Sequence, residues 1–569
     1  MNPTEKLYPK PTARILVRIL EELGVKEAVL SPGTRNTPLV LAFDSSPEIK
    51  KLVVIDERSA GFVGLGIALS TRRPVALVCT SGSAMLNYAP AVAEAYYRRI
   101  PLIVISADRP PQWIDQSDSQ TIRQLETLRN IVKKSVEIPD SQPSDSEAPN
   151  FAARQIADAV YCALRTPHGP VHINMPFDLP LGLNYQDFPD IRIPRVLNRP
   201  TSLSTEQIKE LAREIADKKI LVVVGGMQPN SRLNKAFERL ASIQDVTVLA
   251  EGLSNLHGPS VITNVDATLA YTKHSEKAAP ELVIVCGGSL VSNRMKEYLR
   301  HLEGINQWHV GPYADSLQDT FLQLSLAVET EPDLFFPAFA SLLAKYRAKN
   351  LDGSFSEIWR IASRDGLLHY RQYNEEAPWS EFKAISFILN NLPAPFNLHL
   401  SNGTAVRYAL LHDLKSLHGV WCNRGVSGIE GSTSTSIGAS LSYSGPTMLI
   451  SGDMSASYDI QALSLRGIPN DFKLIVISNG GGGIFRIIDK TSNLPQRESY
   501  FCAEPKFPIK ELADAYGFSF VEADSFKSLE SLYPEFISNC NAPSILNIKV
   551  DPEISAEIFK RYYKTLNSL

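Results

Sequence analysis

The chain has 569 residues and a formal net charge of −4, with 21% charged and 44% hydrophobic residues. This length exceeds what one hydrophobic core supports and predicts three domains, and the composition is typical of a globular protein. The negative charge without a basic stripe argues against nucleic acid as the main partner, and no apolar run reaches the roughly eighteen residues of a membrane helix.

The N-terminus and the cysteines indicate in which cellular compartment the protein is expected. Residues 1–6 lack the basic and then apolar segments of a signal peptide. The six cysteines are scattered without a C-x-x-C pair, so we expect reduced core residues rather than zinc ligands or disulfides. These features predict a cytoplasmic protein without a membrane partner.

The first block, residues 1–190, alternates short apolar runs with helical stretches. Its predicted strands are Ala28–Leu30, Leu52–Ile55, Val75–Cys79, Leu102–Ile105 and Val171–Asn174. Because strands that alternate with helices are joined by right-handed crossovers, this pattern predicts a parallel sheet.

Residues 200–350 and 351–569 repeat the alternation and predict two further domains. The middle block has runs at Ile220–Val224, Val246–Leu249, Leu282–Val285 and Gln307–Val310, and the last has runs at Asn397–Leu400, Val420–Cys422, around Met448 and Ile475, and at Ile545–Val550. The predicted fold class is therefore α/β, with three doubly wound parallel-sheet domains, of which the first and third look like a related pair.

A glycine pair, Gly225-Gly226, follows the first strand of the middle block. It lacks the full G-x-G-x-x-G fingerprint of a dinucleotide site, which disfavours an NAD dehydrogenase. We assign the pair to tight packing between strand and helix.

Two polar residues follow strands of the third block. Asp453 comes after the run Thr447–Ile450, and Asn479 comes after Lys473–Ile477, 26 positions later (479 − 453). Since this is about one strand–helix–strand unit, both are expected at carboxyl ends of strands, where open α/β sheets bind ligands. Together with a Gly carbonyl, they form an oxygen set suited to a hard cation such as Mg²⁺, which substrate phosphates commonly complete.

Taken alone, Asp453 also fits a helix N-cap, and Asn479 with the glycine after it also fits an Asn-Gly turn. The pair at this spacing favours a diphosphate that is anchored through a metal, and it resembles the thiamine diphosphate signature.

Glu57 stands after the Leu52–Ile55 run and before a helix of small residues. An acid at a helix start also complements the helix dipole without any further role. Thiamine chemistry, however, needs a carboxylate against a ring nitrogen of the aminopyrimidine, so that the cofactor's own nitrogen can remove the C2 proton. Because Glu57 and Asp453 lie in different blocks, the cofactor is expected to bridge two domains. In such enzymes the two domains usually belong to different subunits.

Seven motifs make the resemblance specific. In chain order they are Ser31–Pro38, Asp56–Arg58, Thr80–Ala84, Ala107–Pro111, Thr121–Gln124, Asn423–Gly431 and Gly481–Phe485. Over nearly the whole chain they resemble the 2-succinyl-5-enolpyruvyl-6-hydroxy-3-cyclohexene-1-carboxylate synthase family, the thiamine diphosphate enzymes of menaquinone biosynthesis. The first, fourth and sixth motifs separate this family from pyruvate decarboxylases and acetohydroxyacid synthases.

The resemblance implies a transferase that decarboxylates 2-oxoglutarate and adds the succinyl-semialdehyde carbanion to isochorismate in a 1,4 sense, with release of CO₂. It implies thiamine diphosphate with Mg²⁺ or Mn²⁺ as cofactors. It also implies a homodimer or a dimer of dimers, with active sites at the subunit interface. Both substrates are dianions, and the planar fork of arginine binds carboxylates bidentately.

By resemblance, functional roles carry over to residues within or beside these motifs. The catalytic set is Glu57, Arg109, Gln120, Arg407, Arg424 and Ile484. The cofactor-binding set is Pro32, Glu57, Thr80, Gly403, Ile429, Gly452, Asp453, Met454, Ser455 and Asn479. The substrate-binding set is Thr34, Arg35, Arg109, Gln120, Asn293, Arg294, Arg407, Arg424, Ile484 and Phe485, and the metal set is Asp453, Asn479 and Gly481.

Some positions depart from the family pattern or have a second interpretation. Asn293 stands where the family often has Lys, and Gly403 stands where it can have Ser, with Thr404 as a neighbouring hydroxyl. Ile429 is either the wedge that bends the cofactor or an ordinary core residue.

Two other functions stay open at this point. The first is another thiamine diphosphate-dependent carboligase or a 2-oxoglutarate decarboxylase. The second is a metabolite-sensing protein on a retained fold, which the presence of both Glu57 and Asp453 disfavours.

Overall fold

A computed structural model describes residues 7–140, 147–185, 190–197, 202–273, 275–313, 317–414 and 417–568. Within these residues the strands form three sheets, and every pair of neighbouring strands is parallel. The strands alternate with helices along the chain, which confirms the predicted α/β class.

The chain divides into two compact units. Unit 1 comprises Met1–Asn198, Asn423–Ser444 and Tyr458–Phe472, and unit 2 comprises Arg199–Cys422, Gly445–Ser457 and Lys473–Leu569. The first sheet belongs to unit 1, whereas the second and third belong to unit 2. The division into three domains, 1–190, 200–350 and 351–569, remains a prediction.

The first sheet contains β1 (Glu27–Leu30), β2 (Lys50–Val53), β3 (Val75–Cys79), β4 (Leu102–Asp108), β5 (Ser135–Glu137) and β6 (Val171–Pro176). Its helices are α1 (Pro11–Glu22), α2 (Thr37–Asp44), α3 (Glu57–Thr71), α4 (Ala84–Asn87), α5 (Ala89–Arg98) and α6 (Ala148–Leu164). The strand order is β2-β1-β3-β4-β6-β5. Every residue of β3 and β4 is buried, as expected for inner parallel strands covered on both faces.

The second sheet contains β7 (Ile220–Val224), β8 (Val246–Ala250), β9 (Leu282–Cys286), β10 (Asn306–Gly311) and β11 (Leu324–Glu329), in the order β11-β10-β9-β7-β8. Its helices are α7 (Thr205–Glu214), α8 (Ser231–Ala241), α9 (Val265–Thr272), α10 (Asn293–His301) and α11 (Pro332–Tyr346).

The third sheet contains β12 (Asn397–Leu400), β13 (Gly419–Cys422), β14 (Thr447–Gly452), β15 (Lys473–Ser478), β16 (Ser519–Ala523) and β17 (Ser544–Lys549). The remaining helices are α12 (Ser354–Glu376), α13 (Glu381–Asn390), α14 (Thr404–Ala409), α15 (Ser432–Ser440), α16 (Asp453–Tyr458), α17 (Ile484–Ile487), α18 (Asp489–Ser492), α19 (Ile509–Tyr516), α20 (Phe526–Ser538) and α21 (Pro552–Asn567). The strand order, β13-β12-β14-β15-β17-β16, repeats that of the first sheet.

Three details correct the sequence analysis. The strand expected at Leu52–Ile55 is instead Lys50–Val53. Strands β5, β11 and β16, which lie at sheet edges, were not predicted from the sequence. A Cβ on Gly225 would lie 1.9 Å from the carbonyl oxygen of Gly288, so this glycine is required by a neighbouring loop rather than by a helix.

None of the helices within the described residues is long and apolar enough to span a bilayer.

Candidate functional site

Asp453 lies where β14 meets α16, beside the end of β15. Only 5% of its surface is exposed. Its Oδ2 accepts the backbone N–H of Gly480 at 3.1 Å and that of Gly481 at 3.0 Å, and its Oδ1 accepts that of Met454 at 2.7 Å. Burial raises the pKa of Asp453, and these backbone donors oppose the rise. The side chain is thus a buried carboxylate at the carboxyl end of the sheet, where α/β folds bind ligands.

Asn479 directly follows β15, and a hydrogen bond orients its side-chain amide. Its Nδ2 donates to Oε2 of Glu381 at 3.0 Å. Its Oδ1 is buried and, among the described residues, has no hydrogen-bond partner. A buried amide oxygen without a donor is costly unless something else binds it, and a hard cation is one group that would.

Glu381 was not singled out in the sequence, because it resembles an ordinary acid in the first turn of α13. It is 1% exposed, and its Oε1 accepts from Oγ1 of Thr404 at 2.5 Å. Burial raises the pKa of Glu381 to about 7, against the hydrogen bonds from Thr404 and Asn479. The carboxyl of Glu381 thus binds both Asn479, a predicted metal ligand, and Thr404, which follows Gly403. Gly403 has a φ of +104°, which favours glycine.

The glycine loop after Asn479 brings the third predicted metal ligand into the same region. Gly480 and Gly481 have φ of +73° and +94°. A Cβ on Gly481 would lie 2.1 Å from the carbonyl oxygen of Cys502, so no larger residue fits there. The loop exposes backbone groups where side chains are absent, which suits binding of a metal and phosphates.

A cavity of about 400 Å³ in unit 2 collects four predicted substrate residues: Asn293, Arg294, Arg407 and Ile484. Arg407 belongs to α14, and its NH1 donates to the carbonyl of Gly403. Phe485 does not belong to the set of described residues that line the cavity; its ring packs 5.6 Å from that of Phe501.

The cavity also has acidic residues, and their oxygens accept hydrogen bonds from the protein. Glu251 accepts the N–H groups of Val291 and Ser292, each at 2.8 Å. Asp266 accepts from the hydroxyl of Tyr563 at 2.6 Å. The cavity thus combines two arginines with acids that accept hydrogen bonds from the protein itself, and a guanidinium is the group that binds a carboxylate most specifically.

In unit 1, Glu57 is the first residue of α3. Asp56 caps this helix by accepting the N–H groups of Arg58 at 2.9 Å and Ser59 at 3.2 Å, which leaves Glu57 free of the capping role. Burial raises the pKa of Glu57; its own backbone N–H opposes the rise, and Asp56 adds to it. Such a partly buried carboxyl is suited to holding a proton.

Two predicted arginines of unit 1 influence each other. Arg35 is 8% exposed and donates to the carbonyl of Phe177 at 2.8 Å. Burial and the charge of Arg109 lower the pKa of Arg35. Arg109 lies 3.4 Å from Asp118, while its Nε is buried and unpartnered among the described residues. Two neighbouring cations can together bind a dianion.

Predicted neutral residues of unit 1 lie around the Thr80–Ala84 motif. Thr80 has a buried Oγ1 without a hydrogen-bond partner among the described residues, and a Cβ on Gly33 would lie 2.3 Å from its Cβ. Gln120 has φ of +56°, and its backbone lies 3.3 Å from the position of a Cβ on Gly82. Pro32 and Thr34 flank Gly33 in the same loop.

The loop that carries Arg424 and Ile429 is held by Glu94, a second residue that the sequence analysis missed. Glu94 is 1% exposed and accepts the N–H groups of Gly425 and Val426, each at 2.8 Å. The carboxylate of one helix therefore fixes the backbone next to Arg424. No local pattern in the sequence pairs residues 331 positions apart.

Several known proteins are similar in sequence to this chain. Residues 11–127 match the family described as thiamine pyrophosphate enzyme, N-terminal TPP binding domain. The chain is 36% identical over 560 residues to a 2-succinyl-5-enolpyruvyl-6-hydroxy-3-cyclohexene-1-carboxylate synthase from Porphyromonas gingivalis, covering 97% of each chain. It is 37% identical over 568 residues to a protein of the same name from Flavobacterium psychrophilum, covering 98% of this chain and all of the relative.

A solved structure shares the fold. Benzoylformate decarboxylase from Polynucleobacter necessarius superposes with a TM-score of 0.69 at 17% identity, over 96% of this chain and 99% of that one. At this identity the likeness concerns the fold alone.

Proposed function

The chain belongs to the 2-succinyl-5-enolpyruvyl-6-hydroxy-3-cyclohexene-1-carboxylate synthase family, and from this we propose that it decarboxylates 2-oxoglutarate and adds the four-carbon remainder to isochorismate. The single observation that carries the proposal is near full-length identity of about 36% to synthases of this name, with the sites described above in the matching motifs. Thiamine diphosphate supplies the electron sink for this chemistry when it is bound.

Glu57 and Asp453 would bind opposite ends of that cofactor. The partly buried carboxyl of Glu57 is suited to sharing a proton with a ring nitrogen. Asp453, Asn479 and the carbonyl of Gly481 would hold a divalent cation, Mg²⁺ or Mn²⁺, against the diphosphate. The unpartnered Oδ1 of Asn479 and the buried carboxylate of Asp453 both fit this donor set.

The arginines would bind the substrate carboxylates. Arg294 and Arg407 line one cavity in unit 2, and Arg35 and Arg109 are electrostatic neighbours in unit 1. Ile484 contributes apolar surface to the cavity, where low polarity strengthens charge interactions. Arg424 would complete the set from the loop that Glu94 holds.

The proposal includes a homodimer, or a dimer of such dimers, in the cytoplasm. Val53 and Ile55, close to Glu57 in sequence, are 65% and 74% exposed, and exposed apolar side chains of this kind favour a protein partner. None of the six cysteines, all of which lie within the described residues, forms a disulfide, which fits a reducing compartment.

Product analysis tests the proposed reaction. Purified protein with thiamine diphosphate, Mg²⁺ and both substrates should give the coupled product by mass spectrometry, and leaving out isochorismate should abolish that product. A protein that releases CO₂ and succinic semialdehyde at the same rate whether or not isochorismate is present would instead be a 2-oxoglutarate decarboxylase.

A further inference from the structure

Arg486 is a buried arginine to which the proposed reaction gives no role. It lies on α17, seven residues after Asn479, and is 4% exposed. Its NH1 donates to the carbonyl of Asn479 at 3.1 Å, and its NH2 donates to the carbonyl of Gly480 at 3.1 Å. A guanidinium therefore binds the backbone of the loop that contains two of the proposed metal ligands.

Asp453 binds the same two peptide groups from their other side. Its carboxylate accepts the N–H of Gly480 at 3.1 Å and that of Gly481 at 3.0 and 3.2 Å. The peptide units Asn479–Gly480 and Gly480–Gly481 thus each have their N–H on Asp453 and their C=O on Arg486. Hydrogen bonds in such a chain polarise and strengthen one another, because donor and acceptor belong to one conjugated group.

Two glutamates outside the glycine loop balance the positive charge of Arg486. Its NH2 lies 2.6 Å from Oε2 of Glu498, and its Nε lies 3.6 Å from Oε1 of Glu553. Arg497 pairs with the same two glutamates, but its NH1 donates to the carbonyl of Ser492 at 3.0 Å. Because a buried charge without a partner is strongly destabilising, these ion pairs explain how Arg486 can be buried here.

The loop needs an external support because its own residues cannot provide one. Gly480 and Gly481 have no side chains to pack, and their positive φ values favour glycine. We propose that Arg486 is a positioning residue for the metal site: together with Asp453 it fixes both peptide units, and so it holds Asn479 Oδ1, the Gly481 carbonyl and the Asp453 carboxylate in binding geometry. This inference rests on the proposed metal site.

The alternative is a purely structural arginine that joins the π-helix at Arg497–Cys502 to α21. Arg497 offers a matched control, since it shares both glutamate partners yet makes none of the loop contacts among the described hydrogen bonds. A structural role predicts equal effects of the two arginines on metal binding, whereas the proposed role predicts different ones.

The test is Mn²⁺ binding to the full chain with saturating thiamine diphosphate, followed by electron paramagnetic resonance. Partners that orient metal ligands typically contribute about 10- to 100-fold to affinity. We expect Arg486→Met to weaken Mn²⁺ binding by about that factor and Arg497→Met to leave it within about twofold. Arg486→Lys should also weaken it, because a point charge cannot serve two carbonyls as a fork does.

Melting temperatures without metal and cofactor, measured on the same preparations, show how much each arginine contributes to the stability of the fold. If both methionine variants lose equal stability and only Arg486→Met loses Mn²⁺ affinity, the proposal stands. Equal Mn²⁺ affinity of Arg486→Lys and the wild type, or equal weakening by Arg486→Met and Arg497→Met, would overturn it. The lysine variant, which keeps the charge, decides the matter if Arg486→Met does not fold. A wild-type chain that binds no Mn²⁺ would contradict the proposed function itself, which separates that failure from this one.

Discussion

Glu57 combines a helix start with partial burial, and these two features favour opposite protonation states. The helix N-terminus stabilises the carboxylate, whereas burial raises its pKa and Asp56 adds to the rise. Because Asp56 does the capping, Glu57 is not fixed in that role. Its carboxyl is therefore available to share a proton with a bound ring nitrogen.

We expect Glu57→Gln to fold and to bind thiamine diphosphate but to slow exchange of the cofactor's C2 hydrogen. The amide has the size of the carboxyl but cannot take up the shared proton, and positioned acid–base groups contribute about 10²–10⁴-fold. Hydrogen–deuterium exchange at C2, followed by NMR, measures this directly. Exchange at nearly the wild-type rate would remove the role assigned to Glu57.

At the scale of single residues, the sequence indicated the candidate metal ligands but not the residues that orient them. Asp453 and Asn479 could be proposed as ligands because their chemistry and spacing are local to one strand–helix–strand unit. Glu381, which orients Asn479, lies 98 positions away from it and looks like any acid in a first helical turn. Its role depends on tertiary contacts that no spacing encodes.

Among the elements, the inner strands were predicted, whereas three of the six edge strands of these sheets were missed. Runs such as Val75–Cys79 and Ile220–Val224 match the structure, since a parallel strand buried on both faces is apolar throughout. The missed strands β5, β11 and β16 lie at edges and are only partly buried. A strand that is open on one side needs no continuous apolar run, so its sequence gives a weaker signal.

The last helix, α21, extends to the cavity of unit 2 and holds one of its arginines. The NH2 of Arg294 donates to Oδ1 of Asn567 at 2.7 Å, and its guanidinium lies 5.7 Å from the ring centre of Tyr563. We infer that the final turn of α21 sets the direction of Arg294 in the cavity.

Asn567→Ala should therefore raise KM for one substrate while leaving kcat and stability nearly unchanged. Hydrogen bonds to charged groups contribute about 1.5–3 kcal/mol when shielded, and because Asn567 is exposed we expect a smaller rise of about three- to tenfold. Lys564→Ala, on the exposed side of the same helix, is the control. Unchanged KM for both substrates in Asn567→Ala would show that Arg294 does not depend on α21.

On the scale of the whole molecule, buried histidines predict how stability depends on pH. His172 is fully buried between the hydroxyls of Ser106 at 2.7 Å and Ser135 at 3.1 Å. Burial lowers its pKa from 6.5 to about 4. Since the unfolded chain takes up the proton first, stability from this group is present above pH 6.5 and is lost as the pH falls towards about 4.

His172→Gln should therefore lower the melting temperature at pH 8 but flatten its decline between pH 6.5 and about 4. The difference in slope corresponds to on the order of 1 kcal/mol per pH unit for one site. Burial raises the pKa values of Glu251 and Glu381 to about 7, so these two groups make the folded state more stable as the pH falls, which is opposite to the effect of His172. The melting curves of the variant and the wild type must therefore be compared with each other at each pH. Parallel curves would mean that His172 is not buried in its neutral form.

The proposed dimer can be tested with two inactive variants. If one active site takes Glu57 from one subunit and Asp453 from the other, a mixed dimer of Glu57→Gln and Asp453→Ala chains has one intact site. Random mixing after subunit exchange should then restore about a quarter of the wild-type activity. Each variant alone is the control, and a mixture as inactive as its components would place both residues of a site on one subunit.

The central claim is that one chain couples decarboxylation of 2-oxoglutarate to carbon–carbon bond formation with isochorismate. The most direct measurement uses 2-oxoglutarate labelled with ¹³C at C1 and follows ¹³CO₂ and the coupled product together, with thiamine diphosphate and Mg²⁺ present. We predict equal amounts of ¹³CO₂ and unlabelled coupled product, and neither when the cofactor is omitted. Release of ¹³CO₂ without a matching amount of product, or no release at all from the complete mixture, would contradict the claim.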